Sequence, residues 1–420
     1  MSLCNKLFII VDAYGPARYF RHYIQQKDHL CVHLLSTPQP LPRLKLSELE
    51  SYDHTLIHDS DFATTVKNIE ELLLRLNAEL CEILPGVEPG VLLADKLSNH
   101  FNLHNNSIEK SLARRDKYAM ADVLAAAGIP IPSYCRVDNL EEAQAFARNQ
   151  QWPLVLKPLD SAGTNGVHFC HSEQELVDAF HQVMGVENNM GIINQAVLIQ
   201  SFLQGKEYMV NTVSHNGQHY VTDIWYADKT RMAGYAQIYN KNHLIDSQSE
   251  EYVLLRDYVF QVLDALEIKY GPAHAEVIIT PNGPMLVEVA SRISGLVDPL
   301  FNQSCLGYDQ IALTLESYLT PQKFLQRTGQ SYSVKKIGLQ VLLVSRKAGK
   351  IIMLDFPAQL EKIPSVINYS LKPKIGEILV KTIDLSSSPG IVNLVADNEA
   401  TLLADYQLIQ QLFEQHVQVA

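Results

Sequence analysis

The chain has 420 residues, 47% of them apolar and 19% charged, which is ordinary for a folded globular protein and long enough for about two to four domains. Thirty-four Lys plus Arg against 46 Asp plus Glu give a formal charge of −12. That charge repels a phosphate backbone or an anionic membrane surface, so neither nucleic acid nor membrane is an expected partner, and only a local basic pocket for a small anion fits. The cysteines (Cys4, Cys31, Cys81, Cys135, Cys170 and Cys305) show no CxxC or paired metal-ligand spacing. This argues against a disulfide framework and structural zinc, and for a reducing cytoplasm. The apolar run Leu7 to Val11 ends at Asp12, too short for a signal core or a membrane span, so the expected protein is cytoplasmic.

Leu7 to Val11, an amphipathic stretch, and Leu30 to Leu35 read as a βαβ opening, and a helix over 66–76 with a strand at 81–86 continues it. Residues 1 to about 105 are therefore expected to form an open parallel α/β domain. No GxGxxG follows the first strand, which removes a dinucleotide site. The pattern then predicts a helix over 107–127 that stops at Gly128, with Lys117 on its apolar face where a solvated lysine is out of place. Strands follow at 154–158, 167–170, 197–200, 206–215 and 218–226, the last two joined by Asn216-Gly217. Helices are expected over 251–267 and 307–319 around a hairpin at 273–291. The segment from about 330 is strand-rich, with a hairpin turn at 347–350 and a closing helix over 400–413.

Three segments carry chemistry. Lys157 precedes a loop containing Ser161, Gly163, Thr164 and Gly166, so backbone N–H groups can converge on one anion beside a fixed positive charge. A hairpin loop with an exposed lysine reads the same way, and the lysine stands on the wrong side of the glycines for a Walker loop. Glu276 and Glu288 each lie six residues from Asn282. A hairpin turning there sets two carboxylates opposite each other, and the remedy for that repulsion is a divalent cation, Mg²⁺ or Mn²⁺ by its oxygen ligands. A register slip of one residue would instead turn one glutamate to water. Finally Gln200, Phe202 and Leu203 lead through Gly205 to Glu207, a hinge that suits a purine and ribose hydroxyls but is also a common strand connection.

In this order the three segments resemble the ATP-grasp superfamily over about residues 107–300. The resemblance implies an α/β protein with an N-terminal domain (1–105), an ATP-grasp region of two α+β subdomains (106–320, with a mobile lid at about 130–205) and a C-terminal α+β lobe (321–420). It implies that Lys117 and Lys157 grip the phosphates, that the 161–167 loop closes over the γ-phosphate, and that Gln200, Phe202 and Leu203 hold adenine while Glu207 holds ribose. Glu276 and Glu288 match the metal-binding carboxylates and Arg292 the arginine beside the transferring phosphoryl group; Ala290 stands where Asn is usual. The run Glu288 to Gly295, together with His274-Ala275-Glu276-Val277, is similar to the L-amino-acid ligases that make dipeptides.

That resemblance implies ATP and Mg²⁺ as cofactors, amino acids as substrates, an acyl phosphate intermediate, and dimers as a frequent family form. Lys157, Arg292 and the amides near Ser294 and Gly295 would serve the transition state. His274 would orient a substrate carboxylate, unless it is a satisfied structural histidine. Asp223, Trp225, Arg231 and Tyr239 would line the acceptor pocket, unless they are core. The alternatives are a carboxylase or purine-pathway ligase on the same fold, or a nucleotide-binding module without turnover.

Overall fold

In the computed structural model, residues 5–38, 51–161, 163–231, 237–385 and 387–420 are described, the side chains of Arg231 and Gln237 excepted. The first domain is a parallel sheet of β1 (Asn5–Val11), β2 (Leu30–Leu35), β3 (His54–Ile57) and β4 (Ala78–Pro85), in the order β3-β2-β1-β4. Parallel strands are covered on both faces and so read as unbroken apolar runs. Phe8 and Ile10 pack on one side of β1 while Leu7, Ile9 and Val11 pack on the other. At the C-terminal end of β1 the chain after β4 comes so close that a Cβ on Gly86 would lie 2.4 Å from the Asp12 carbonyl oxygen. That approach sets the start of the 88–90 turn, which carries Glu88.

The second unit is an antiparallel sheet of β5 (Tyr134–Val137), β6 (Leu154–Pro158), β7 (His168–Cys170) and β8 (Val197–Ser201), ordered β5-β8-β6-β7. Alternate residues Leu154, Leu156, Val197 and Ile199 bury one face against the helices Leu140–Ala147 and Glu173–Val183. The third unit contains β9 (Lys206–His215), β10 (Gln218–Arg231), β11 (Gln237–Leu244), β12 (Gly271–Thr280) and β13 (Gly283–Ala290). The C-terminal segment adds β14 (Ile337–Leu342), β15 (Gly349–Leu354), β16 (Val366–Leu371), β17 (Ile378–Leu379), β18 (Gly390–Ala396) and β19 (Val417–Val419).

Three of those later strands join the central sheet, which runs β13-β12-β9-β10-β11-β14-β18-β16, eight strands in all. The strand-rich C-terminal segment is thus continuous with the catalytic region: Lys241 pairs with Val341 across β11 and β14. The expected hairpin at 347–350 is absent among the described residues because both edges of β14 are already occupied, by β11 and β18, while β15 pairs with β17 and β19. The 307–319 helix also divides. Gly307, at φ +87°, ends Pro299–Leu306, and Asp309 caps Gln310–Leu319 by accepting from the Ala312 N–H at 2.9 Å.

The expected helix over 107–127 begins only at Lys117, capped by Asp116, which accepts from the Ala119 N–H at 2.8 Å. The preceding residues are short 3-10 turns because their arginines are drawn inward. Arg114 is fully buried and donates to Asp95 (2.8 Å), the Ser107 carbonyl (2.7 Å) and the Leu266 carbonyl (3.1 Å). It ties the Val91–His100 helix of the first domain to the end of the Glu250–Ala265 helix under the central sheet. Removing one partner of such a buried pair leaves the other charge unpaired. Arg114→Ala should therefore lose about 3–5 kcal/mol of stability, read as a lower midpoint in urea unfolding.

Candidate active site

A cavity of about 750 Å³ lies between the β5–β8 sheet and the central sheet, within the size range of a small-molecule site. Its walls include Lys117, Lys157, Ser161, Gly163, Thr164, Gln200, Phe202, Leu203, Glu207, Tyr239, Glu276 and Glu288. The structure thus brings together the three chemistry-bearing sequence segments, with Lys117 and Tyr239 added from elsewhere in the chain. Gly166 does not line it: at φ +72° it sits where a Cβ would lie 2.8 Å from Pro158 Cγ, so it shapes the loop from behind.

Glu276 stands directly opposite Glu288, and the way it gets there is instructive. The turn pairs Thr280 with Gly283 and Val277 with Leu286, a register that by itself would set Glu276 against Val287. One bulged residue, Val287, restores the carboxylate pair. The Val287 carbonyl then accepts from Lys157 Nζ at 3.3 Å. Lys117 Nζ lies 3.0 Å from Glu288 Oε2 and donates to the Ser161 carbonyl at 3.0 Å. Burial, with the Lys117 charge added, pushes the Lys157 ammonium down to about 8. Burial acts to raise the Glu276 carboxyl, but His274, Lys229 and Arg292 outweigh it and hold the group below its ordinary range.

The two carboxylates fit a divalent cation. Among the described residues no third His, Cys, Asp or Glu completes a metal cluster with them, and Ala290 is buried and apolar. Such a pair suits Mg²⁺, which takes one or two protein carboxylates and fills its octahedron with phosphate oxygens and water.

Arg292 is outside the main cavity wall. Its Nε donates to Glu88 Oε2 at 3.0 Å and its Nη1 to the Ile293 carbonyl at 2.8 Å. Glu88 also faces Arg115 at 3.4 Å, and Arg115 in turn pairs with Asp160 at the root of the glycine-rich loop. Burial would raise the Glu88 carboxyl; Arg292, Arg115 and Lys117 hold it down. Glu88 in this role, Arg115 and Lys229 were missed from the sequence. Lys229 Nζ bonds Glu207 and sits 3.9 Å from the Tyr239 ring centre. A plain hairpin count from Asn216-Gly217 would place Tyr226 opposite Glu207, and a bulge at Thr222 brings Ala227 there instead, with Lys229 on the same face. No sequence signal announces that bulge.

The residues expected to line an acceptor pocket divide. Tyr239 lines the nucleotide-sized cavity, where its hydroxyl donates to Glu207 at 3.4 Å. Asp223 is fully buried and accepts from Asn211, Thr222 and Trp225. Trp225 packs on Phe301 with ring centres 5.4 Å apart. Both belong to the core under the sheet, since a buried carboxylate needs its lone pairs filled and these neighbours fill them. The Arg231 side chain lies outside the described residues. His274 accepts no role as a free ligand: its Nδ1 bonds Asn211 Oδ1 at 2.8 Å and its Nε2 is 3.7 Å from Glu276. The Ser294 N–H is spent on Gln310 Oε1 at 2.9 Å, which removes it from the expected oxyanion pair. Gly295 lines a second cavity of about 340 Å³ that shares Gly163 and Leu385 with the first.

Residues 150–299 match the model of the ATP-grasp domain. Over 410 residues the chain is 32% identical to dapdiamide A synthase of Enterobacter agglomerans, covering 96% of this chain and 95% of that one. The chain belongs to the ATP-grasp family. An L-arginine-specific L-amino acid ligase of Bacillus subtilis is 22% identical over 309 residues, 71% of this chain and 72% of the relative. The crystal structure of an L-amino acid ligase from Bacillus licheniformis superposes with a TM-score of 0.79 over 100% of both chains at 16% identity, which shows the shared fold. This ATP-grasp protein is therefore an ATP-dependent ligase. Among its described residues no helix is long and apolar enough to cross a membrane.

Lys157 gives the ligase a pH signature. An ammonium pushed down to about 8 is largely neutral in the free enzyme at pH 9, and an anionic nucleotide binds the protonated form. ATP affinity should fall as pH rises through 8, followed by calorimetry. Lys157→Met should weaken binding about 10- to 150-fold at pH 7, the loss of a bond to a charged group worth about 1.5–3 kcal/mol, and should flatten that pH limb.

Proposed function

We propose that this ATP-grasp ligase joins the carboxylate of one L-amino acid to the amine of another, releasing ADP and phosphate. The observation that carries the reading is the opposed pair Glu276–Glu288, flanked by Lys117 and Lys157 at one end of a nucleotide-sized cavity, with Arg292 fixed just beyond. The relatives named as dapdiamide and L-amino acid ligases support amino acids as the substrate class.

Phe202 and Leu203, beside Gln200, would hold adenine, and Glu207, oriented by Lys229 and Tyr239, would take the ribose hydroxyls. Lys117 and Lys157 hold phosphate oxygens, and Glu276 and Glu288 would hold Mg²⁺, with Mn²⁺ as the alternative; the cation supplies neutralisation of phosphate charge. The donor carboxylate oxygen attacks the γ-phosphorus, ADP leaves, and an acyl phosphate forms. The amine of the second substrate then attacks the acyl carbon, the C–O bond to phosphate breaks, and the amine proton is lost as the amide forms. Arg292 is placed to offset charge on the moving phosphoryl group, and the Gly295 N–H is the remaining amide for the tetrahedral oxyanion. The loop residues Ser161 and Gly163–Val167 would shield the acyl phosphate from water. The described cysteines are free, which suits the reducing cytoplasm.

The deciding experiment is phosphate release from Mg-ATP across pairs of the common amino acids, with mass spectrometry of each active mixture. Release confined to particular pairs, with a dipeptide mass, is the expected outcome; release without a coupled product, or none at all, overturns the reading. Glu288→Gln should abolish turnover while leaving the circular dichroism spectrum unchanged. A variant at parental rate would take Glu288 out of the site.

A further inference from the structure

Glu88 follows the C-terminal end of β4; around the start of the same strand lies a cavity of about 540 Å³, between the first domain and the central unit. It shares no wall residue with the nucleotide cavity. Lys6 comes from β1, Glu79 and Glu82 from β4, His104 from the turn after the Val91–His100 helix, Tyr270 from just before β12, and Tyr318 from the Gln310–Leu319 helix. Parallel strands covered on both faces read as apolar runs, and Glu82, 1% exposed, breaks that rule. A bulge puts it there. Leu7 pairs with Leu80 but Phe8 with Glu82, so Cys81 is the extra residue. Glu82 therefore shares the face of Phe8, which packs toward Leu315 and Tyr318.

The Glu82 carboxyl is only half satisfied. One oxygen bonds His104 Nδ1, while Oε2 is buried without a hydrogen-bond partner. A buried polar atom left unmet is costly, and the cavity beside it has room for the donor it lacks. Burial pushes the carboxyl up to about 9 against the pull of the Lys6 charge, and an ammonium arriving at Oε2 would favour the ionised form. The rest of the wall is aromatic and apolar. The His104 ring centre lies 5.1 Å from that of Tyr270 and 6.0 Å from that of Tyr318, and Leu80 and Leu103 complete the surface. Among the described residues no group of side chains here could hold a metal ion, so the donor belongs to an organic ligand. A carboxyl, a cation on the neighbouring strand and an aromatic wall complement a zwitterion with an apolar side chain. Independently of the ligase reading, we propose that this cavity is a second binding site for a free amino acid with a large apolar side chain, its ammonium on Glu82, its carboxylate on Lys6 and its side chain against Tyr270 and Tyr318.

The test is calorimetric titration of the full-length protein, without nucleotide, with L-phenylalanine and L-leucine. Phenylpropionate, which has no amine, and phenylalaninamide, which has no carboxylate, are the comparison ligands. At least one of the two amino acids should bind at one site per chain, and both comparison ligands should bind at least about tenfold more weakly. Glu82→Gln and Lys6→Gln should each weaken the amino acid by about tenfold or more. Glu82→Gln keeps the size of the side chain, and its circular dichroism spectrum should match that of the wild type. Neither residue lines the nucleotide cavity, so ATP affinity should stay within about twofold in both variants. Failure of both amino acids to bind the wild type would overturn the assignment. So would affinity unchanged in either variant, which places the amino acid elsewhere, or a comparison ligand bound as tightly as the amino acid.

Discussion

Two carboxylates set face to face across a hairpin are the constraint around which the rest of the site is arranged. Like charges directly opposed in a sheet repel, and they do so most where water is scarce. Glu276 and Glu288 persist there because Lys117, at the first turn of its helix, Lys229 from β10, two strands away from β12, and His274 offset their charge. The bulge at Val287 that produces the pair also frees a carbonyl that Lys157 takes. One irregular residue therefore sets the acidic pair and gives Lys157 its acceptor. Displacing the bulge would turn Glu288 away and leave a buried ammonium without that acceptor.

The first domain enters the chemistry through Glu88. Its turn follows a parallel strand whose end is pinned by the close approach at Gly86, and its carboxylate grips Arg292 on one side and Arg115 on the other. Arg115 reaches on to Asp160, at the base of the glycine-rich loop. A chain of alternating charges thus links the first domain, the segment following the strand that carries Lys157 and the loop beyond the Glu276–Glu288 hairpin. Buried charges in such a chain contribute less to stability than to position, since each pays a desolvation cost that only its partners offset. Arg292 is consequently held in one orientation by Glu88 and the Ile293 carbonyl, and the proposed role of meeting developing charge requires such fixing.

Much of this was legible in the sequence. The parallel opening, the glycine-rich loop after Lys157, the hinge at 200–207 and the two glutamates all follow from local pattern, because turns, strand alternation and loop composition act over a few residues. What escaped depends on events no pattern encodes. Bulges at Thr222 and Val287 each shift a register by one residue; the first brings Lys229 to the Glu207 face, and the second compensates for a turn centred half a residue from where Asn282 suggested. Arg114 and Arg115, adjacent in sequence, are both buried, and the partners that hold them lie elsewhere along the chain, where local pattern gives no sign of them. The family resemblance assigns Asp223 and Trp225 to the acceptor pocket, which it places after the nucleotide hinge, while the structure shows a buried carboxylate with its acceptors filled. Burial of that kind is decided by long-range packing.

The charge balance of the site bears on how a protein of net charge −12 admits a polyanion. Three of the cations around the cavity already have acidic partners, Lys117 with Glu288, Lys229 with Glu207 and Arg292 with Glu88, while Lys157 donates to the Val287 carbonyl. A bare anion would have to compete with those carboxylates for the same donors, and the exchange gains little. A nucleotide carrying a divalent cation would change the sum, because Glu276 and Glu288 would then hold the metal and Lys117 would be free to turn toward phosphate. The same pairing keeps the buried lysines and glutamates compatible with a stable fold when no nucleotide is present.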